Sequence, residues 1–331
     1  MKKIVSIFII LLLFVTGCGK KNGKDILKEF NKKINSLDSY YLEGKMEIIN
    51  NEDIYKYDVA VSFKDKDLYK VSLKNESNEH EQIILKNAEG VYVLTPSLNK
   101  SFKFESEWPY SNSQVYLPKS ILQDMNNDKS LEFVKDENGY MFTSAVNYPN
   151  NRTLIKQKIY LNNNLDLDKV EVLNENNNIE INMKFNKFEK NPKFDDEYFT
   201  LKKNIEVSNT GEKVESVSKI EEAIFPMYVP ENTSLTSQDV ITKDKGERLI
   251  LTFGGEKPFV LIEETVDKKD ELEIIPTLGE PTILMDTIGF VSDDSISFIS
   301  KGIEYYIASE KLTKDELLEV AKSISTIPVM K

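Results

Sequence analysis

Alternating apolar and polar residues dominate the chain from about residue 40 to residue 205. The run from Tyr55 to Phe63 places an apolar side chain at every second position, and residues 69–73, 102–105 and 179–185 repeat the pattern. Strict alternation indicates strands with one buried face and one wet face, which is typical of antiparallel sheets. We therefore predict a long antiparallel meander that uses one apolar face.

Short polar segments separate the predicted strands at residues 87–90, 136–139, 162–164 and 175–178. They are rich in Gly and Asn, which tolerate the positive φ that tight hairpins require. Residues 136–139 also resemble a fragment of a calcium loop, but the bidentate Glu of such a loop is missing at the correct spacing. We interpret all four segments as hairpin turns and predict no metal site.

Two segments have helical spacing instead. Residues 25–37 repeat apolar residues at intervals of three and four, and residues 113–128 combine Pro118 with a second apolar set. An amphipathic sheet must bury its apolar face against another layer. We expect these two helical segments to cover it.

The second part of the chain has a different order of elements. Residues 206–217 are polar and predict a linker with few contacts across it. Ser218 and Glu221 form a capping-box pattern for a short helix that ends before Pro226, and Thr313 and Glu316 form another for a last helix. Strands are predicted at 248–253, 259–266, 282–290, 295–300 and 303–308.

The N-terminus has the pattern of a bacterial lipoprotein signal. Lys2 and Lys3 precede an apolar run over residues 4–15, which is shorter than the roughly 20 residues of a membrane-spanning helix. The run ends in a lipobox-like sequence, Val15-Thr16-Gly17-Cys18. A lipobox requires a thiol to carry the diacylglycerol. The only Cys of the chain stands at that position.

We therefore predict a signal peptide over residues 1–17, lipid attachment at Cys18 and a short tether over residues 18–24. The chain would be held at the extracytoplasmic face of the cell or forespore membrane by two acyl chains, palmitate being typical of such anchors. The alternatives are an ordinary secretory signal with an incidental Cys, or a cytosolic apolar N-terminus.

Composition excludes several classes of function. The 331 residues include 43 basic and 55 acidic residues, for a net charge of −12. This balance argues against nucleic-acid binding, which depends on Lys and Arg to neutralise phosphates, and against electrostatic docking of the chain as a whole on anionic lipid. With one Cys and one His (His80, interpreted as a solvated loop residue), the residues for zinc, disulfide, redox and haem sites are lacking. We predict no cofactor.

Paired carboxylates are the main candidates for catalysis. They occur at 195–196, 221–222, 263–264 and 293–294, and a glycosidase needs two carboxylates across a sugar-binding cleft. A chain with 55 acidic residues contains such pairs by chance on solvated faces. Gly254-Gly255 is interpreted as a turn, because no phosphate-loop lysine follows it. We predict that the chain is not an enzyme.

The order of elements resembles a known family. The lipobox, the first helix, the meander, the segment Gly90–Pro96 and the closing segment Phe194–Phe199 together resemble the LolA-like lipoproteins of Gram-positive spore formers, a group with YdcC-type sporulation and GerS-type germination lipoproteins. Residues 302–308 followed by 312–324 resemble a domain often appended to them. The resemblance implies an α+β fold: a curved antiparallel half-barrel sheet covered by helices over residues 25–205, and a smaller α+β domain over residues 218–331.

The resemblance leads to three hypotheses of function. The first is a non-enzymatic accessory module that binds an envelope partner, such as a wall or cortex amidase, in sporulation or germination. The second is a carrier of lipid or lipoprotein that holds an acyl chain in an apolar cavity. The third and weakest is a carboxylate-dependent wall hydrolase.

One face of the predicted sheet is a candidate ligand or partner surface. Its side chains lie on adjoining alternating runs, and the alternative is that they are core residues only. They are Tyr57, Val59, Val61, Tyr69 and Val71. Trp108, the only Trp, caps an apolar cavity or packs in the core.

Overall fold

The structure is a computed structural model. It describes residues 22–50, 53–65, 67–208 and 219–324. The predicted signal peptide, the lipobox with Cys18, and residues 209–217 of the predicted linker lie outside the described residues.

The described residues form nineteen strands. They are β1 (Ser39–Asn50), β2 (Asp53–Lys64), β3 (Leu68–Asn75), β4 (Glu81–Asn87), β5 (Gly90–Thr95), β6 (Lys100–Phe104), β7 (Glu132–Lys135), β8 (Gly139–Ala145), β9 (Leu154–Asn162), β10 (Leu167–Asn174), β11 (Ile179–Lys190), β12 (Thr233–Thr242), β13 (Glu247–Gly255), β14 (Phe259–Thr265), β15 (Glu273–Thr277), β16 (Glu280–Leu284), β17 (Thr287–Val291), β18 (Ser295–Ser300) and β19 (Ile303–Ala308). Four helices accompany them: α1 (Gly23–Asn35), α2 (Pro118–Asn127), α3 (Leu201–Ser208) and α4 (Lys314–Ile324).

The first sheet is an open sheet of twelve strands in the order β15-β6-β5-β4-β3-β2-β1-β11-β10-β9-β8-β7. Strands β1 to β6 and β7 to β11 are antiparallel meanders, and β1 joins the two by pairing with β11. Residues from β2, β6 and β9 share one hydrophobic core although many strands separate them, so the sheet curves around that core. The predicted α+β fold with a curved antiparallel sheet is confirmed.

Helix α1 lies on the inner face of this sheet. A capping box of Asn22 and Asp25 fixes its first turn, since each side chain accepts a hydrogen bond from the other residue's backbone N–H. Ile26, Phe30 and Ile34 recur every four residues and are buried. These residues pack the predicted first helix into the core.

Helix α2 is the second cover of the inner face. Pro118 occupies its first turn, where the missing backbone N–H costs no hydrogen bond. Ile121, Leu122 and Met125 are buried in the same core as helix α1. The predicted helical insertion is confirmed over residues 118–127.

The outer face of the sheet is covered at one place. Ile83 and Leu85 of β4 form a separate cluster with Phe199 and with Ile205 of α3. Strands β4 and β5 are therefore buried on both faces, which explains their continuous apolar sequence. Helix α3 also includes residues 206–208, the first part of the predicted linker.

The second sheet has seven strands in the order β12-β13-β14-β19-β18-β17-β16, all antiparallel. Helix α4 packs on it through Leu317 and Ala321. Its capping box is confirmed: the backbone N–H of Thr313 donates to Glu316 Oε2, and that of Glu316 donates to Thr313 Oγ1.

The helix predicted to start at Ser218 is wrong for residues 219–225, which have bends but no helix and form a strap over the second sheet. The backbone N–H of Ile220 donates to Glu247 at 3.1 Å, and that of Ile224 donates to Glu263 at 2.9 Å. Carboxylates of β13 and β14 thus accept the hydrogen bonds that a helix would have made internally. Ile220 and Ile224 pack on the core below.

The strand predicted over residues 282–290 is two strands. The chain reverses at Met285, with a φ of 41°, so that β16 and β17 form a hairpin. This turn lacks the Gly or Asn that marks a hairpin in a sequence. Strand β15 was also not predicted, and it pairs in parallel with β6 of the first sheet. The boundaries of the two predicted domains stay predictions, but the second part of the chain adds a strand to the first sheet.

Candidate functional site

The two sheets meet where hairpin β16–β17 docks on the first sheet. Phe290 packs between Phe102 and Phe104, with ring centroids 4.4 and 5.1 Å apart respectively. Ile288 and Phe290 are buried in the core of the first sheet. Residues from both parts of the chain thus form one continuous core at this junction.

Buried hydrogen bonds fix the position of the hairpin. Gln82 Oε1 accepts from the backbone N–H of Ile288 at 2.6 Å and from the hydroxyl of Thr287 at 3.0 Å. The hydroxyl of Tyr57 donates to the carbonyl oxygen of Met285 at 2.5 Å. Because these groups are buried, breaking one of these hydrogen bonds costs stability. The hairpin therefore has one favoured register against the first sheet.

An apolar pocket opens beside this junction. Its volume is about 100 Å³. Ile48 and Ile181 of the first sheet line one side, Ile283 of the hairpin lines another, and Tyr116 and Leu154 complete the apolar wall. Amide side chains of Asn112, Gln114 and Asn150 also contribute to the lining. Residues from both sheets build this pocket.

The predicted ligand or partner face is core. Val61, Tyr69 and Val71 are fully buried, and Tyr57 and Val59 nearly so. All five belong to the core that helices α1 and α2 cover. The structure therefore supports the alternative that these residues are packing residues. None of the five lines the pocket.

Trp108 is fully buried and packs edge-on against Tyr69 at 5.8 Å between ring centroids. It does not line the pocket, so it packs in the core. His80 was predicted to be solvated, and this is wrong. The segment is a loop, but the ring is half-buried, its Nε2 atom has no hydrogen-bond partner in the described part of the chain, and burial lowers its pKa.

The paired carboxylates do not converge on a cleft. Glu263 and Glu264 are neighbours on β14, so their side chains point to opposite faces. Glu264 forms ion pairs with Lys243 and Arg248, and Asp293 forms one with Lys314 at 2.8 Å.

The two remaining carboxylate pairs are residues 195–196 and, on the strap, residues 221–222. Asp195 accepts a hydrogen bond from the backbone N–H of Glu197. Glu221 and Glu222 are exposed on the strap. These contacts are those of turns, ion pairs and solvated surface.

Residues 136–139 form the predicted hairpin turn. Asp136 Oδ1 accepts hydrogen bonds from the backbone N–H groups of Asn138 and Gly139, and Gly139 has a φ of 153°. The described residues contain no group of three or more His, Cys, Asp or Glu side chains that could hold a metal ion.

Glu263 was not singled out as an individual residue by the sequence. It is fully buried under the strap, and its Oε2 atom has no hydrogen-bond partner in the described residues. Burial raises the pKa of this carboxyl to about 7, and the hydrogen bond from Ile224 opposes the shift. The sequence signal that could have identified Glu263 is its place in an alternating strand, at a position where an apolar residue is expected.

None of the helices in the described ranges is long and apolar enough to cross a membrane.

Structural likenesses are distant. MucB in complex with MucA has a TM-score of 0.33 and 12% identity over 91% of this chain and 98% of that chain. The LolA superfamily protein NE2245 from Nitrosomonas europaea has a TM-score of 0.30 and 14% identity over 55% and 99%. The GerS lipoprotein complex of the CwlD amidase from Clostridioides difficile has a TM-score of 0.20 and 15% identity over 54% and 99%. At these values the likenesses carry no conclusion about function.

Sequence comparison is much closer. The family model of YdcC-like sporulation proteins matches residues 1–199. The chain is also 36% identical to sporulation protein YdcC of Bacillus subtilis (strain 168) over 332 residues, which is 98% of each chain. Matches of this length and identity confirm the resemblance to sporulation proteins of spore formers. The chain belongs to the family of YdcC-like sporulation proteins.

Proposed function

We propose that the chain is a membrane-anchored binding module of the cell envelope that acts during sporulation without catalysing a reaction. The observation that carries this proposal is the whole-length similarity to sporulation protein YdcC. The divergent carboxylate pairs support a binding role rather than catalysis. Release of soluble sugar from peptidoglycan by the purified protein would overturn the non-enzymatic part.

The anchor in this proposal is Cys18. The lipobox-like residues 15–18 support it, and the thiol is the only one in the chain. Cys18→Ala should abolish labelling by a palmitate analogue in growing cells, because no other thiol can receive the lipid. Lys193→Ala is a control on an exposed residue and should label like wild type. Equal labelling of the Cys18→Ala variant and the wild type would contradict lipid attachment at Cys18.

The partner in this proposal is an envelope protein, specifically an enzyme that modifies the spore cortex. The resemblance to germination-type lipoproteins motivates this choice. Affinity capture of the tagged chain from sporulating cells should enrich a wall amidase over a tag-only control. Purified amidase should then bind the purified chain directly, and a failure of this direct binding would overturn the partner assignment.

A carrier of lipid or lipoprotein is the second candidate, and the apolar lining of the pocket, though not its size, supports it. Pockets that hold drug-sized ligands typically have volumes of about 300–1,000 Å³. The pocket here, at about 100 Å³, is smaller than that range. Its size therefore favours the binding module over the carrier. Native mass spectrometry that finds lipid bound at one molecule per chain would reverse this order.

A further inference from the structure

Helix α1 carries a row of exposed lysines on the side that faces away from the sheet. Lys24, Lys28 and Lys32 recur every four residues, and all three are exposed. The buried residues of the same helix also recur every four residues, starting at Ile26. Each lysine stands two residues before a buried residue of the helix. Two residues correspond to about 200° of rotation, so the lysines lie on the side opposite the buried residues. We call Lys24, Lys28 and Lys32 the lysine face.

The lysine face is available for contact with another surface. None of the ion pairs among the described residues includes Lys24, Lys28 or Lys32. Lys33 on the same helix is different, because it forms an ion pair with Asp166 at 2.6 Å. The three ammonium groups extend over about 12 Å along the helix axis, at 1.5 Å per residue.

The position of α1 in the chain places this face near the proposed anchor. The capping box makes Asn22 the residue at which the chain enters the fold. Only four residue steps separate Cys18 from Asn22, which is at most about 14 Å of extended chain. Gly23 is also packed directly against Phe133, so the first turn of α1 is held against strand β7. An anchor at Cys18 therefore keeps α1 close to the bilayer.

Charge then decides which side of the molecule faces the lipid. The whole chain has a net charge of −12, so an anionic surface repels most of the protein. Asp25 and Glu29 are also exposed beside the lysine face, and with three lysines against these two acids this side of the helix still has a net positive charge. Such electrostatic contacts act within a Debye length, about 8 Å at physiological salt, and the short tether allows that approach.

We propose that the lysine face of α1 lies on the anionic headgroups of the membrane that carries the anchor, and so fixes the orientation of the protein on the bilayer. This inference rests on the proposed anchor at Cys18. It assigns the membrane-facing side of the protein to α1. The ligand is a surface of anionic phospholipid headgroups.

Trace acetylation of lysines followed by mass spectrometry tests the proposal. The chain from Cys18 onward keeps every described element, and its single thiol can be coupled to a maleimide lipid in preformed vesicles. Vesicles of phosphatidylcholine alone are compared with vesicles that also contain phosphatidylglycerol. The lysine face should react several-fold more slowly on the anionic vesicles. About 1 M NaCl, at which the Debye length is about 3 Å, should restore the rate.

Three exposed lysines in turns and loops of the second part of the chain are the matched control: Lys245, Lys301 and Lys311. Their rates should be the same on both vesicles. Equal rates at the lysine face on both vesicles, or equal slowing at all six lysines, would overturn the proposal. Chemical coupling does not depend on lipidation in cells. If the proposed lipid attachment at Cys18 is wrong, this is therefore seen in a separate experiment, as equal palmitate labelling of the wild type and the Cys18→Ala variant.

Discussion

The fully buried carboxylate of Glu263 accepts a hydrogen bond from the backbone N–H of Ile224 at 2.9 Å, and so ties the strap to strand β14. Burial raises the pKa of this carboxyl from 4.5 to about 7. A group with a raised pKa in the folded state contributes stability that is fully present below its unfolded pKa. Here the contribution falls as the pH rises from 4.5 to 7 and is lost above 7.

Glu263→Gln should therefore increase stability at pH 8 and change it little at pH 5. The amide keeps an oxygen for Ile224 and removes the buried charge. The gain at pH 8 should be on the order of 2 kcal/mol, since one pKa unit corresponds to about 1.4 kcal/mol and the amide leaves a donor unsatisfied. Urea unfolding at both pH values measures it.

Glu264→Gln is the matched control for this substitution. Glu264 is next in sequence, but it lies on the opposite face and forms ion pairs with Lys243 and Arg248. Its replacement should give no gain at pH 8. A Glu263→Gln variant that is equally destabilised at both pH values would contradict the assignment of a buried charge.

Tyr57→Phe should destabilise the protein by about 1–2 kcal/mol. The substitution removes the hydroxyl that donates to the buried carbonyl oxygen of Met285, so this hydrogen bond is lost while the ring stays in place. Tyr41→Phe is the control, because the Tyr41 hydroxyl donates to Glu43 in a half-buried position. Thermal unfolding should shift clearly for the first variant and barely for the second. Equal shifts would show that the contact with Met285 adds nothing.

Both parts of the chain should unfold in one cooperative transition. Phe290 of the hairpin and Phe102 of the first sheet belong to the same core. Unfolding of either sheet therefore exposes core residues of the other. Phe290→Ala should cost about 3–5 kcal/mol, as large-to-small core changes do, and should split the calorimetric transition. Tyr306→Ala, at an exposed position of β19, should leave one transition. Two separate transitions in the wild type would contradict the shared core.

Val61→Ala should lower stability by roughly 2 kcal/mol, because Val61 is fully buried below the covering helices and the change leaves a small cavity. Partner binding should stay at the wild-type level at temperatures where the variant is folded. Lys56→Ala on the same strand is the control, since Lys56 is exposed, and it should leave stability and binding close to the wild-type level. Loss of binding by a folded Val61→Ala variant would return this face to the functional surface.

Local signals predicted much of the fold and little of the site. The alternation in β2 and β11, and the capping residues Thr313 and Glu316, are short-range patterns, and the structure confirms them. Strand β12 was missed because nearly all of it is exposed, so neither face selects apolar residues. A strand with both faces exposed to solvent has no alternation of apolar and polar residues that a sequence analysis could detect.

The junction could not be predicted because its partners are distant in sequence. Tyr57 and Met285 are 228 residues apart, and nothing local to either one identifies the other. The strap was predicted as a helix from Ser218 and Glu221. Its conformation is instead set by Glu247 and Glu263, which belong to strands that follow it. Tertiary acceptors outweighed a local helix signal at this segment.

Strand β15 has a consequence for the order in which the molecule can be completed. It covers the edge of β6 with residues 273–277, which follow residues 100–104 of that strand by 173 positions, about half the length of the chain. Until this late segment is available, β6 presents a row of unpaired backbone groups, which is a template for association with other chains. Truncated products that lack the residues from 273 onward therefore keep an exposed strand edge that can pair with another chain. In the complete sheet β15 is the edge strand, and Pro276 in this short strand has no backbone N–H to offer another chain. Synthesis through residue 277 is thus a condition for replacing the open edge of β6 with this shorter one.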